Sequence, residues 1–154
     1  MMSHIKKEMW KAISDSPFIM IGLNNSDSHK EPMTAQLDKD ANSAFWIFTS
    51  KSNRIAAGGA AMAQYVSKGH DLFACISGTL VKETDPTVID RHWNKMVAAW
   101  YPQGRNDPSL RVLRFDLNDA EVWRSDLGLI GKFKLLTGAK VNPDEMGEHE
   151  KIKL

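Results

Sequence analysis

Phe45-Trp46-Ile47-Phe48-Thr49 is an unbroken run of aromatic and β-branched residues, and Ser50-Lys51-Ser52-Asn53-Arg54 follows it directly. Such side chains fit a pleated surface packed on both faces, so the run predicts a central β-strand ended by a polar connection. On its N-terminal side, Asp38-Lys39-Asp40-Ala41-Asn42 is a polar turn, and Glu31 to Leu37 supplies the preceding strand. Asn24-Asn25-Ser26-Asp27, residues that tolerate turn dihedrals and cap their own backbone, separate that strand from a first one at Phe18 to Leu23. Three strands on short loops predict an antiparallel meander. Before Pro17, the residues Ile5, Met9 and Ile13 recur at helical spacing among Lys6, Lys7, Glu8 and Lys11. This is an amphipathic helix over Ser3 to Ser14, with Ser3 as N-cap.

Downstream, Asn53 to Ala63 is alanine-rich and predicts a short helix, weakened by Gly58 and Gly59 by about 2 kcal/mol relative to alanine. Gln64 to Ser67 and Asp71 to Lys82 form a hairpin around Lys68-Gly69-His70, the second arm carrying Leu72, Ala74 and Ile76 on one face and Phe73, Cys75 and Ser77 on the other. Asp85-Pro86 is a helix start with Asp as N-cap, and Val88/Ile89, His92/Trp93, Met96/Val97 and Trp100 trace one long helical stripe. The stretch from Tyr101 to Pro108 is a loop, since it holds two prolines and a glycine. Leu113, Phe115 and Leu117 alternate as a half-buried strand that Val122-Trp123 extends or follows. Ile130, Phe133 and Leu136 to Thr137 suggest a short helix ended by Gly138, and residues from about 139 to 154 read as a charged, mobile tail. The element order lacks the β-α-β alternation of a parallel sheet. It suits a mainly β fold, a small antiparallel barrel with peripheral helices.

The length of 154 residues is one domain's worth, and 42% hydrophobic with 25% charged residues is an ordinary globular composition. Twenty Lys and Arg against nineteen Asp and Glu leave a formal charge of +1, so no global field draws the chain to nucleic acid or an anionic membrane. Arg105, Arg111 and Arg114 are too dispersed for a nucleic-acid track. No window approaches the 18 consecutive apolar residues of a membrane span. The single cysteine, Cys75, cannot form an internal disulfide, and no signal peptide opens the chain. A cytoplasmic protein is expected.

The candidate chemistry lies in Thr49 to Arg54, which packs three hydroxyls and two cations into six residues between a strand and an expected helix. Hydroxyls and backbone N–H groups donate to phosphate oxygens, an Arg fork binds two of them, and a helix N-terminus favours the anion. Taken alone, the stretch reads first as a solvated connection in which Ser52 caps a helix, and only its context favours a phosphate. His4, His29, His70, His92 and His149 show no metal-ligand spacing, so no metal is expected, and His92 reads as a boundary residue of its helix. A GxSxG elbow is absent, and Ala57-Gly58-Gly59-Ala60 is not a dinucleotide fingerprint. Cys75 reads as a small core residue, and Trp100 beside Tyr101-Pro102 is either core or a stacking platform for a planar ligand.

Several segments together resemble one family. They are Glu31-Pro32-Met33-Thr34, Phe45 to Thr49 with Ser52 and Arg54, Gly69-His70-Asp71-Leu72-Phe73, Ser77-Gly78-Thr79-Leu80, Trp93, Ala99-Trp100-Tyr101-Pro102-Gln103-Gly104, Asp107-Pro108, and Ala120-Glu121-Val122-Trp123. In that order and spacing they resemble the FMN-binding split-barrel proteins related to pyridoxamine phosphate oxidase, specifically the bacterial general stress protein branch. The resemblance spans roughly residues 5 to 138. It implies a six-stranded antiparallel split β-barrel that forms a homodimer, with FMN held at the subunit interface. By position, Thr49, Ser52 and Arg54 would hold the FMN phosphate, with Ser50 and Asn53 adding donors. Met33, Thr34 and Ala35 would run along the isoalloxazine edge, Phe48 would line the same cleft, and Trp100 and Trp123 would approach from the partner subunit.

The family often has Arg before the Pro-Met pair, where this chain has Glu31. The connection from Thr49 to Arg54 is about one residue shorter than usual, and Arg54 replaces the commoner Lys; its fork still suits a phosphate. No pyridoxal phosphate substrate-site residues match, which disfavours vitamin B6 oxidation. The expectation is an FMN-binding general stress protein, as reservoir, sensor or scavenger, with FAD open as an alternative to FMN. The other readings are a flavin oxidoreductase that reduces a small acceptor with NAD(P)H, and a non-flavin interaction module.

Overall fold

The computed structural model describes residues 3–125, 136–138 and 148–154. The central strand is β3 (Ala44–Ser50), and its two faces are used differently. Phe45 and Ile47 are fully buried in the barrel core, whereas Trp46 and Phe48 point outward under helices. Around it stand β1 (Phe18–Leu23), β2 (Glu31–Thr34), β4 (Gly59–Val66), β5 (Leu72–Lys82) and the long β6 (Leu110–Arg124). Every pairing is antiparallel, in the order β2-β1-β4-β5-β6-β3. A single bridge, in which Gln36 N donates to Trp46 O at 2.7 Å and Trp46 N to Gln36 O at 2.9 Å, joins the two ends of that path. The six strands thus close into a barrel at one point and remain split elsewhere. Helix α1 (His4–Asp15) is capped by Ser3 and buries Ile5, Met9, Trp10 and Ile13 against the same core. The Tyr65 hydroxyl lies 2.6 Å from Ala12 O and 2.8 Å from Ser16 O, fixing the C-terminal end of that helix.

Five local expectations are corrected. The helix expected over Asn53 to Ala63 is a series of turns followed by β4. Gly58 and Gly59 have φ of +74° and +118°, outside any right-handed helix, and a Cβ on Gly58 would sit 2.6 Å from Leu80 O. The alanines belong to a strand because Ala61 and Ala63 fill narrow inner positions between β1 and β5. The long helical stripe after Asp85 is broken into α2 (Pro86–His92) and α3 (Lys95–Ala98). Asn94 takes an extended conformation and its Oδ1 accepts from Val97 N at 3.0 Å, starting a new helix where the old one would have continued. Met96 and Trp100, on the expected apolar stripe, are largely exposed as a result.

The last described residues are no loose tail: β7 (Glu148–Lys153) pairs with β6 from Asp119 to Arg124, along the stretch that β3 leaves free, and buries Ile152. The expected meander is a β1–β2 hairpin only, since β3 meets the second strand's continuation at the one bridge and ladders instead with β6. Cys75 is a partly exposed residue on the outer face of β5, opposite Gln64 and Glu121, because its inner-face neighbours are Ala74 and Ile76. Leu136 and Thr137 are helical and Gly138 turns with φ +74°, but Ile130 and Phe133 of the expected helix lie outside the described residues. Among the described residues no helix is long and apolar enough to cross a membrane.

Candidate functional site

The split has a closed and an open end. An antiparallel ladder alternates the direction of its hydrogen bonds. Ala35 N donates to Pro17 O at 2.8 Å, so odd-numbered positions of β2 bond to β1 and the backbone N–H and C=O of Thr34 point toward β3. Extending the register of the Gln36–Trp46 bridge puts Thr34 opposite Phe48 and Pro32 opposite Ser50, yet β2 and β3 form no ladder there. Of the three residues expected along a flavin edge, then, Thr34 presents its backbone to the opening, while Met33 and Ala35 lean into the core.

At the open end, the chain leaves β3 through a tight turn. Asn53 N donates to Ser50 O at 3.0 Å, and Asn53 Oδ1 accepts from Ile55 N at 2.9 Å, so this side chain is spent on shaping the loop. The turn brings Ser50 Oγ and Ser52 Oγ to 3.0 Å on the surface. Thr49 points the other way and is buried. Arg54 is half-exposed; its Nη1 donates to His29 O at 2.9 Å, and its Nε lies 3.5 Å from Glu31 Oε2. The loop is anchored from inside by Ile55, fully buried, and by Arg111, whose Nη1 donates to Ala56 O at 2.8 Å. Arg111 pairs across the sheet with Thr49, and its Nε is a buried donor with no protein partner among the described residues. In the sequence Arg111 is one dispersed cation among several. Only the β3–β6 register brings it under the loop.

Phe48 meets Trp93 edge-on, with ring centroids 5.8 Å apart. Trp100 is 81% exposed at the end of α3, and Trp123 lies on the outer face near the far end of β6 from the Ser50 partner Leu110, stacked on His149.

The closed end is held by a cluster on the outer face of β3. His92 stacks on Trp46 with centroids 4.5 Å apart, the Arg91 guanidinium lies 5.5 Å from the Trp46 centroid, and Trp46 Nε1 donates to Glu83 Oε1 at 2.9 Å. Asp38 receives Arg91 Nε at 2.7 Å, and His92 Nε2 stands 3.0 Å from the same oxygen without hydrogen-bond alignment. His92 is buried, not a boundary residue. Burial outweighs the nearby Asp38 and Glu83 carboxylates and, with Arg91, lowers its pKa from the ordinary 6.5. A histidine whose folded pKa is depressed takes up its proton more readily when unfolded. Its contribution to stability is therefore complete above about pH 6.5 and is lost as pH falls through the folded pKa. The melting temperature of wild type should accordingly fall more between pH 7.5 and 5.5 than that of His92→Phe, which keeps the stack without the titration. Equal slopes would mean that Asp38 compensates for burial in full.

The family model described as pyridoxamine 5'-phosphate oxidase like matches residues 4–146. The general stress FMN/FAD binding protein from Xanthomonas citri is 44% identical, with a TM-score of 0.73 over 78% of this chain and 88% of that one. A protein from Jannaschia sp. CCS1, described as a candidate general stress protein 26, is 27% identical with a TM-score of 0.81, covering 97% and 98% of the two chains. The fold persists in an FMN-binding protein from Nostoc punctiforme PCC 73102 at 10% identity and a TM-score of 0.59. No curated protein matches. With the family model spanning nearly the whole barrel, the chain belongs to the pyridoxamine 5'-phosphate oxidase-like family, with the fold of a split barrel.

Proposed function

We propose that this protein is a flavin-binding stress protein, a single domain that holds FMN along the split between β2 and β3. The observation that carries the reading is the gathering of donors at the open end of that split: the Ser50 and Ser52 hydroxyls, the Arg54 guanidinium and the edge backbone of Thr34. These are the groups a phosphate monoester and the polar rim of an isoalloxazine require. The orphaned Nε of Arg111 adds positive charge beneath the loop. The likeness to the Xanthomonas citri protein, which is named for FMN and FAD binding, supports the same ligand class. A bound flavin supplies one- and two-electron redox chemistry. The chain's own part is to bind the phosphate through Ser50, Ser52 and Arg54, with Asn53 shaping the turn, and to orient the ring against Thr34 and Phe48.

A homodimer fits the outer face of the barrel. Phe18 (62% exposed), Met20 (41%), Val66 (49%), Phe73 (40%) and Trp123 (41%) all lie on the outer side of β1, β4, β5 and β6. Apolar side chains collected on one sheet face are a surface that association covers. A second copy seated there would bring the exposed Trp100 and Trp123 of one subunit toward the flavin site of the other. A cytoplasmic location accords with the lone Cys75.

The test is a visible spectrum of purified protein followed by titration with FMN, read by fluorescence quenching and melting temperature. Specific binding should stabilise the fold by RT ln(1 + [L]/Kd), about 2.7 kcal/mol at a hundredfold excess over Kd. A colourless protein whose melting temperature ignores FMN would sink the reading, and sedimentation of the same sample reports the oligomeric state.

A further inference from the structure

We propose that Glu31 sets the charge preference of the flavin site, weakening its hold on a terminal phosphate dianion more than on a pyrophosphate, whose charge is spread over two phosphorus atoms. The inference rests on the reading of Ser50 to Arg54 as the phosphate end of that site. Arg54 is the loop's guanidinium, and part of its charge is already engaged. Its Nε lies 3.5 Å from Glu31 Oε2, and one Nη1 proton goes to His29 O at 2.9 Å. The Glu31 side chain is 21% exposed, and its other oxygen, Oε1, is buried without a donor among the described residues. A carboxylate with no donor at its buried oxygen and a single 3.5 Å ion-pair contact at the other keeps a negative charge beside whatever anion the cation receives.

That charge acts on a ligand in proportion to the ligand's own charge. The second ionisation of a phosphate monoester has a pKa of about 6, so the FMN phosphate is close to a dianion at pH 7.5, whereas FAD spreads its two negative charges over a pyrophosphate, one at the same place and one on the next phosphorus, farther from Glu31. Riboflavin carries no phosphate and does not feel the difference. Unit charges about 6 Å apart, screened as in bulk water, interact by amounts worth about threefold in binding per unit of ligand charge, and by less at greater separation. Removing the Glu31 charge should therefore strengthen FMN binding about tenfold and FAD binding by less, between about threefold and tenfold.

The experiment titrates riboflavin, FMN and FAD into the full chain at low ionic strength, as wild type, Glu31→Gln and Glu31→Asp. The expected result is that Glu31→Gln tightens FMN about tenfold, tightens FAD by less than FMN and leaves riboflavin unchanged, while Glu31→Asp keeps the wild-type order. Equal changes for all three flavins, or weaker FMN binding by a Glu31→Gln protein that still binds riboflavin as wild type does, would overturn the proposal and make Glu31 a structural partner of Arg54. Wild type that binds riboflavin, FMN and FAD alike would overturn the phosphate assignment with it. Wild type that binds none would overturn the flavin reading itself.

Discussion

Phe45→Ala should remove about 3–5 kcal/mol of stability, lowering the melting temperature by about 10 °C or more. Phe45 is fully buried on the inner face of β3, directly opposite Phe115 in the β3–β6 register, and the two rings lie 5.2 Å apart and tilted by 48°. Both walls of the space they fill are hydrogen-bonded strands, so truncation leaves a cavity that the backbone cannot close by shifting. Phe48 provides the internal control. Three residues along the same strand, it faces outward against Trp93 and is only half-buried. Phe48→Ala should cost clearly less, because a half-buried ring gives up less apolar burial than the fully buried Phe45. Urea unfolding of the two variants measures the difference. A Phe45→Ala protein no less stable than Phe48→Ala would mean that the inner and outer faces of β3 have been exchanged.

The same alternation explains which elements are legible in the amino-acid sequence. The β3 run is apolar on both faces because one side is the barrel core and the other lies under α2, so aromatic density alone announces a central strand. β4 gives the opposite signal. Ala61 and Ala63 are small because β1 and β5 crowd them, and small residues carry high helix propensity; the barrel overrides that preference locally. β7 is hidden for a different reason. Its outer positions Lys151 and Lys153 oppose Glu121 and Asp119, leaving Ile152 as the one buried residue among charges. A polar edge strand shows little of the alternation by which strands are found. In the site, Ser50, Ser52 and Arg54 are legible because they are neighbours in sequence. The Glu31–Arg54 pairing and the anchoring of the loop by Arg111 are not, since each depends on strands brought together by the barrel register.

Those pairings govern the second large effect, the response of FMN binding to Arg54→Ala. Losing a charge-assisted hydrogen bond costs on the order of 1.5–3 kcal/mol, and the half-exposed position of Arg54 places it in the lower part of that range, or about tenfold in Kd. The Glu31 carboxylate already opposes the phosphate in wild type and stays in place, so it adds nothing to this loss, which should remain near tenfold. Global stability should barely move, because no core contact is lost. Arg54→Lys keeps the charge without the fork and should fall between the two proteins. The double variant Arg54→Ala/Glu31→Gln separates the two charges: it should bind FMN about tenfold more tightly than Arg54→Ala alone, although it has fewer polar contacts. Affinities of Arg54→Ala and wild type that coincide would place the phosphate elsewhere, and the turn from Ser50 to Arg54 would then serve only to lead the chain from β3 into β4.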